Sequence, residues 1–358
     1  MPDQDTVRVG IVGLGGMGTT HAGNIERYGH EVIAGADIVP ESREEFSRRY
    51  DATTYENYET LYNNEDVDAV VITTPNKFHE PASVAALERD IYVLCEKPLA
   101  HDLSAAERIV DAAHASDAFC MVGFHNRLTG AIEMFKAYQD EGRFGDVAHV
   151  HANYVRRRGI PALGSWFTNK ELSGGGALID IGVHTIDLAL YLLDFPEIAE
   201  VTGVTRSNFG TKDDYVDPDN WAGNWDIQSN VFDVDDSASA FIRTVDGATI
   251  ALEVSWAANT ETSNEFVVRG TEAGARFDIG RETLEVWETS HAGLDHYIDS
   301  KHAGNLEIKG HEAEDRLFVD SVLSGEAPSI NTVDEGLTVQ RVIDAIYRSS
   351  EEGSAVSL

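Results

Sequence analysis

Residues 7–18, VRVGIVGLGGMG, decide how the rest of the chain is read. An apolar run from Val7 to Val12 ends in glycines at 13, 15 and 18, spaced G-x-G-x-x-G, and a helical pattern begins inside the motif near Met17. A short β-branched run that meets a glycine turn and then a helix is a βα unit. Glycines allow the tight turn and a close backbone approach, so that the free N–H groups of the helix start can meet a pyrophosphate. The next strand pattern, EVIAGAD, ends at Asp37, 19 residues after Gly18. A carboxylate there accepts hydrogen bonds from an adenosine ribose. The stretch predicts a dinucleotide site built from Gly13, Leu14, Gly15, Gly16, Met17, Gly18, Asp37 and Ile38. Asp37 repels a 2′-phosphate and Ile38 supplies no cation to offset it, which favours NAD. Arg43, one turn into the following helix, keeps NADP open as the alternative.

Working outward, the alternation continues to residue 125. Helical patterns starting at Ser42, at Glu80 and near Ser104 separate the runs DAVVITTP, IYVLCEKP and FCMVGF. Near-continuous Val, Ile and Leu in the strands is expected when helices cover both faces of a parallel sheet. The fold class is therefore α/β, with a doubly wound Rossmann domain over residues 1–125. The rhythm then changes. A helix over 129–141 leads to a long strand, DVAHVHANYVRRR, a loop, and a helix from about Gly176 to Leu193. Strand patterns dominate from 197 to 290, with Asp246-Gly247 as a hairpin turn between alternating runs. Residues 126–330 are expected to form a C-terminal α+β domain with a large, mostly antiparallel open sheet. Residues 331–358 form a last helix that packs back near the first domain, opened by the capping-box spacing of Thr332 and Glu335. The loop around 208–230 has no pattern and reads as a lid or an interface arm.

The chain has 358 residues, 42% of them hydrophobic, which is enough to bury a core without disulfides or metals. Its two cysteines, Cys95 and Cys120, lie in apolar runs and read as buried free thiols of a reducing cytosol. No run approaches the ~18 apolar residues of a membrane helix, and the acidic start, MPDQDTVRVG, lacks the basic and apolar segments of a signal peptide. The expected location is the cytoplasm. A formal net charge of -35, spread over the whole length, argues against nucleic acid as a partner. Only 7 of the 27 basic residues are lysines. Acidity of this size with so little lysine suggests a surface suited to high salt and a halophilic source.

Two segments carry reactive side chains. Lys97, in CEKPLA, follows an apolar strand at the edge where ligands of parallel sheets bind, with Glu96 beside it to orient the ammonium. Further on, GGGALIDIGVHTID sets Asp180, His184 and Asp187 at i, i+4 and i+7, one face of a helix. Removing a hydride from a carbinol requires an acceptor for the hydroxyl proton. Histidine provides one near neutral pH, a carboxylate can orient it, and a fixed cation such as Lys97 stabilises the developing alkoxide. On its own, such an Asp/His pair is more often a polar contact. No convincing third ligand accompanies it, so no metal is expected. Candidates for substrate contact are His125, Asn126 and Arg127, after the last strand of the first domain, and the triplet Arg156 to Arg158. The triplet can anchor a carboxylate or phosphate. Alternation points only alternate members inward, and Arg157 is the one carried as substrate-binding; the other reading is solvated arginines pairing with the acidic surface.

Together these motifs resemble the glucose-fructose oxidoreductase, inositol dehydrogenase and MocA family of nicotinamide-dependent oxidoreductases. The matching features, in order, are the glycine turn at 13–18, TTPNKFH at 73–79, Glu-Lys-Pro at 96–98, and the segment from the glycine triplet through Asp180, Gly182, His184 and Asp187. The resemblance implies that Lys97, Asp180 and His184 form the catalytic set and also touch the substrate. It implies that the backbone of Thr73, Thr74, Pro75 and Asn76 and the His79 side chain line the cofactor, that Glu96 lies near the nicotinamide ribose, and that Trp166 lies near the nicotinamide. It further implies an NAD(P)-dependent dehydrogenase acting on a sugar, sugar acid or cyclitol, and a homodimer or homotetramer formed through the open face of the second sheet. Two other readings of the same motifs stay open: a hydrolase or epimerase that recycles its hydride internally, and a non-enzymatic sensor of NAD or sugar.

Overall fold

The computed structural model describes residues 6–221 and 232–358. The chain divides into two compact units, one of residues 1–125 with 310–340, the other of residues 126–309 with 341–358.

In the first unit six strands form one parallel sheet: β1 (Arg8–Val12), β2 (Glu31–Ala36), β3 (Thr53–Tyr55), β4 (Ala69–Ile72), β5 (Tyr92–Cys95) and β6 (Cys120–Val122). Their order, β3-β2-β1-β4-β5-β6, reverses direction next to β1, which makes the crevice beyond the carboxyl ends of β1 and β4 the binding position of this topology. Helices α1 (Gly16–Arg27), α2 (Pro40–Tyr50), α3 (Tyr58–Asn64), α4 (His79–Leu87) and α5 (Leu103–Ala115) make the connections. All four residues of β4 are buried, as are Val9 and Ile11 of β1, as their apolar composition predicts. The pair β3 and α3 had no sequence reading. Its segment, DATTYENYETLYNN, is polar and too short to display a period.

The second unit opens with α6 (Gly130–Asp140), β7 (Val147–Val155), the single turn α7 (Lys170–Ser173) and α8 (Val183–Leu192). Seven strands follow in two antiparallel runs on either side of β7: β8 (Ile198–Arg206), β9 (Ser237–Thr244) and β10 (Thr249–Ser255), then β11 (Glu265–Gly270), β12 (Ala273–Asp278), β13 (Thr283–Ser290) and β14 (His296–Ala303). Helix α9 is His311–Ser324, α10 is Val333–Glu352, and the short β15 is Val356–Ser357. Nine strands pair in the order β14-β13-β12-β11-β7-β10-β9-β8-β15. Only β7 and β10 run parallel; the other pairs are antiparallel, as expected. In β10 the buried Ile250, Leu252 and Val254 alternate with exposed Glu253. The hairpin turns at Asp246-Gly247, where Gly247 has φ +96° and Asp246 accepts the Ala248 N–H. Strands continue to residue 303, beyond the 290 that the sequence pattern marks.

Several expectations meet the structure here. The expected bounds of 126–330 include helix α9 in the second domain, but it belongs to the first unit, because its Phe318 and Val319 share the apolar core of Val9, Ile11, Ala22, Ile25 and Leu94. The capping box of α10 is made reciprocally: the Thr332 N–H donates to Glu335 (2.9 Å) and the Glu335 N–H to Thr332 Oγ1 (3.2 Å). The division of units falls within this helix, between Gln340 and Arg341. Of the loop around 208–230, residues 222–231 lie outside the described residues. By length and composition, Lys170–Leu192 is apolar enough to cross a membrane, but 89% of its most apolar 18-residue window is buried inside the fold, where that surface is already covered. Cys95 and Cys120 are free and buried.

The core position of α9 has a measurable consequence. Phe318→Ala should lower the stability of the folded chain by about 3–5 kcal/mol in chemical denaturation, the usual cost of emptying a buried aromatic site. A loss below ~1 kcal/mol, the range of ordinary surface substitutions, would remove α9 from that core.

Candidate active site

The residues expected around a dinucleotide gather at the carboxyl ends of β1, β2 and β4. A Cβ on Gly18 would lie 2.0 Å from the Gly13 carbonyl oxygen, so α1 can approach the turn only because position 18 has no side chain. Gly13, at φ +95°, packs against Thr73, whose Oγ1 donates to the Gly13 carbonyl (2.7 Å). A Cβ on Gly15 or Gly16 would meet nothing within 4 Å. That open space lies at the start of α1, whose first N–H groups have no side-chain cap and no acidic residue in the first turn. This is the cradle a pyrophosphate requires. Asp37 is fixed by the Leu14 N–H on one oxygen and the Val39 N–H on the other, both at 2.8 Å. Beside it Ile38 is 81% exposed, a bare apolar surface of the kind an adenine covers. The residues present therefore fit a dinucleotide. Arg43 donates to the Asp37 carbonyl (2.7 Å), which ties it to the strand end.

Where β5 ends, Glu96 is buried and Lys97 half-buried, with a cis peptide between Lys97 and Pro98. Glu96 Oε2 accepts the Lys97 main-chain N–H (3.0 Å) and Oε1 contacts His21 Nε2 (3.0 Å). His21 in turn meets Asp315 Oδ1 through Nδ1 (2.5 Å), and Asn24 donates to the other Asp315 oxygen (2.8 Å). Burial disfavours charge on His21, but Asp315 and Glu96 outweigh it and hold its pKa well above the ordinary 6.5. Burial likewise pushes Glu96 upward, and the His21 hydrogen bond and charge, with Lys97 and His125, bring it down to about 2. Among the described residues His21, Glu96 and Glu314 have metal-like spacing. Both ring nitrogens of His21 are already engaged by carboxylates, which makes this a charge network. His79 does not face outward as expected of a cofactor-lining side chain. It is 1% exposed, and its ring nitrogens lie 2.8 Å from the Pro98 and Thr74 carbonyl oxygens, tying the loop after β4 to the Glu-Lys-Pro turn. Asn76 is buried at the same loop. His125 stacks on His311 with ring centroids 3.6 Å apart; burial and its neighbour His311 lower its pKa to about 3, so it stays neutral.

In the second unit the segment bearing Asp180 and His184 departs from a plain α-helix. Leu178–Gly182 is a π-turn that runs into α8, a distortion common at functional sites. It is clamped from outside. Asp235 accepts the Gly176 N–H (2.9 Å), the Leu178 N–H (2.8 Å) and the Tyr347 hydroxyl (2.7 Å). The glycine triplet permits this approach, since a Cβ on Gly175 would lie 2.0 Å from the Tyr347 hydroxyl and one on Gly176 1.8 Å from the Asp235 carbonyl. Asp180 Oδ2 accepts the Trp256 indole N–H (2.9 Å), and His184 is buried one turn further on. Asp187, expected on the same face, belongs instead to the core. Trp166 lies in a short turn, stacked on Phe167 at 3.8 Å.

Arg127 is a correction. Expected at the substrate, it is 1% exposed and its Nε lies 3.1 Å from Asp187 Oδ1, under the rings of Tyr191 and Phe195. A guanidinium so enclosed is part of the core. Of the arginine triplet, Arg156 lies over the Tyr154 and Trp221 rings and Arg158 is held by the Val216 and Ala258 carbonyls, while Arg157 is exposed. The sequence reading missed His21, Asp315, Asp235 and Trp256. Its only local signal was His21 and Asn24, three apart on one face of α1; the partners are remote in sequence. Since removing one member of a buried pair strands the other's charge, Arg127→Ala should cost about 3–5 kcal/mol in thermal or chemical unfolding. A KM for substrate that rises with stability unchanged would return Arg127 to the site.

Residues 7–124 match the "Oxidoreductase family, NAD-binding Rossmann fold" and residues 132–276 the "GFO/IDH/MocA C-terminal domain". The chain is 28% identical to D-glucoside 3-dehydrogenase of Escherichia coli (strain K12), over 98% of this chain and 97% of that one. It is also 28% identical to D-xylose 1-dehydrogenase [NADP(+)] of Haloarcula marismortui, over 86% and 79%. A structure of levoglucosan dehydrogenase in complex with NADH and levoglucosan superposes with a TM-score of 0.84 at 25% identity, covering 98% and 99%. With the glycine cradle and fixed Asp37 already marking a dinucleotide site, the chain belongs to the Gfo/Idh/MocA family of NAD-binding oxidoreductases.

Proposed function

We propose that the protein is an NAD(P)-dependent dehydrogenase that oxidises a CH–OH group of a sugar, sugar acid or cyclitol. The observation that carries this reading is the fixed carboxylate of Asp180, fastened by the Trp256 indole one turn before His184, in a chain whose other unit bears the dinucleotide cradle. When bound, the nicotinamide supplies the hydride acceptor. Lys97 polarises the substrate oxygen and stabilises its negative charge, His184 takes the hydroxyl proton, and Asp180 orients that base. His125 and Arg157 remain candidates for substrate contact. The core placement of Arg127 argues against it. Asp37 supports NAD as the cofactor, with NADP the alternative through Arg43.

The remaining expectations belong to the same reading. We infer a halophilic source from the net charge of -35 and the scarcity of lysine, and a cytoplasmic location from the two buried free cysteines. A second copy of the chain as partner is supported by the open sheet face. Strand register sets Val204, Phe241 and Trp287 on that one face, each more than a third exposed.

Nicotinamide absorbance in molar KCl, with NAD and NADP each offered aldoses, sugar acids and inositols, tests the activity. Net reduction by one substrate class is the expected result. Binding of NAD without net reduction by any of them would favour internal hydride recycling or a sensor. Lys97→Met should lower turnover about 100-fold or more while leaving NAD affinity within a few fold; unchanged turnover removes Lys97 from the mechanism. Dialysis into low salt should unfold the chain, followed by circular dichroism, and full retention of structure would remove the halophilic reading.

A further inference from the structure

The buried chain Asn24–Asp315–His21–Glu96 has no part in the mechanism above, yet it ends on the residue next to Lys97. Both ring nitrogens of His21 face carboxylate oxygens, Asp315 Oδ1 at 2.5 Å and Glu96 Oε1 at 3.0 Å. A carboxylate oxygen only accepts, so each nitrogen must donate, and the ring carries two protons unless one of the acids does. Histidine is the more basic partner, and the second proton therefore resides on the ring. His21 and Asp315 are fully buried, and Glu96 is 6% exposed. The polar and charged groups around this ring and its two carboxylates are Asn24 on its own helix, Glu96 after β5 with Lys97 beside it, His125 after β6, and His311, Glu314 and Asp315 on α9. Of these, His125 is neutral and His311 is lowered by burial, so Lys97 is the remaining cation, and it acts on Glu96 after the His21 hydrogen bond and charge.

We propose that His21 is a positioning residue whose imidazolium, anchored by Asp315, keeps the Glu96 carboxylate ionised and in one orientation against the main chain of Lys97. The geometry gives Glu96 little other freedom. Its second oxygen accepts the Lys97 N–H, and the neighbouring strand end makes room for it at Gly123, where a Cβ would lie 3.2 Å from the carboxylate. Remove the imidazolium and Glu96 is left buried near Glu314 and Asp315. It would then take up a proton at a higher pH and loosen its hold on the Lys97 turn. The effect on turnover rests on the dehydrogenase reading; the charge state of His21 does not.

The test has two arms. In protein labelled with ¹⁵N-histidine, the His21 resonances, assigned by their loss in His21→Gln, should show both ring nitrogens protonated in the pH range where free histidine is neutral. In Asp315→Asn the same signature should persist only to a lower pH. On the substrate that the wild type oxidises, His21→Gln should lower kcat about 10–100-fold, the scale of a small misplacement of reacting groups. It should also move the acid limb of the kcat profile to higher pH, and a merely structural defect would leave that limb where it is. If His21→Gln does not fold, Asp315→Asn supplies the same pH reading. A singly protonated ring in the wild type overturns the proposal. So does a doubly protonated ring combined with an unmoved acid limb in the variants. Absence of turnover in the wild type with every polyol defeats the dehydrogenase reading instead, and the nitrogen spectra still decide whether the imidazolium exists.

Discussion

The first unit depends on one close approach, that of helix α1 to the turn that ends β1. At 2.0 Å from the Gly13 carbonyl there is no room for even a methyl group on residue 18. Because the helix can come so near, its uncapped N–H groups face the open space at Gly15 and Gly16. The same turn presents the Leu14 N–H to Asp37, so one set of glycines sets both the pyrophosphate end and the ribose end of the site. A helix terminus left without a cap would be a cost in most folds. Here the missing cap is what a bound anion replaces.

The second unit applies the same device to a different purpose. Gly175 and Gly176 let Tyr347 and Asp235 come close enough to hold the first N–H groups of the segment that carries Asp180. The π-turn then adds a residue to the helix at the point where Asp180 must meet Trp256. Glycine is used in both units less for flexibility than for proximity. Each triplet buys a backbone contact that a side chain would forbid.

Charge is handled differently inside the molecule and on its surface. Acidic residues exceed basic ones by 35 over the whole chain, and exposed ion pairs such as Arg8 with Asp66 add little in water. Inside, charged groups are held by specific partners: Arg127 by Asp187, His21 by both Glu96 and Asp315, and Asp235 by two main-chain N–H groups and the Tyr347 hydroxyl. Such buried groups are expensive to leave unpaired, which is why each is enclosed by its partners. His79 follows the same rule with neutral acceptors, spending its ring on two main-chain carbonyls.

Much of what local spacing sets was legible in the sequence, although the short β3 and α3, the π-turn at Leu178–Gly182 and the strand β14 were not. The βα alternation, the glycine turn with Asp37 nineteen residues on, the Asp-Gly hairpin and the capping box of α10 all depend on residues near one another along the chain, whose periodicity or turn chemistry is visible without coordinates. Long-range pairings were not legible. Asp315 lies 294 residues from His21, Trp256 lies 76 from Asp180, and Asp187 lies 60 from Arg127. For that reason Arg127 reads as a substrate arginine in sequence and turns out to be core, and α9 reads as part of the second domain while its Phe318 fills the core of the first unit. A motif determines which backbone a residue stands on; which charge or cavity meets its side chain is decided by packing between segments that the sequence holds far apart.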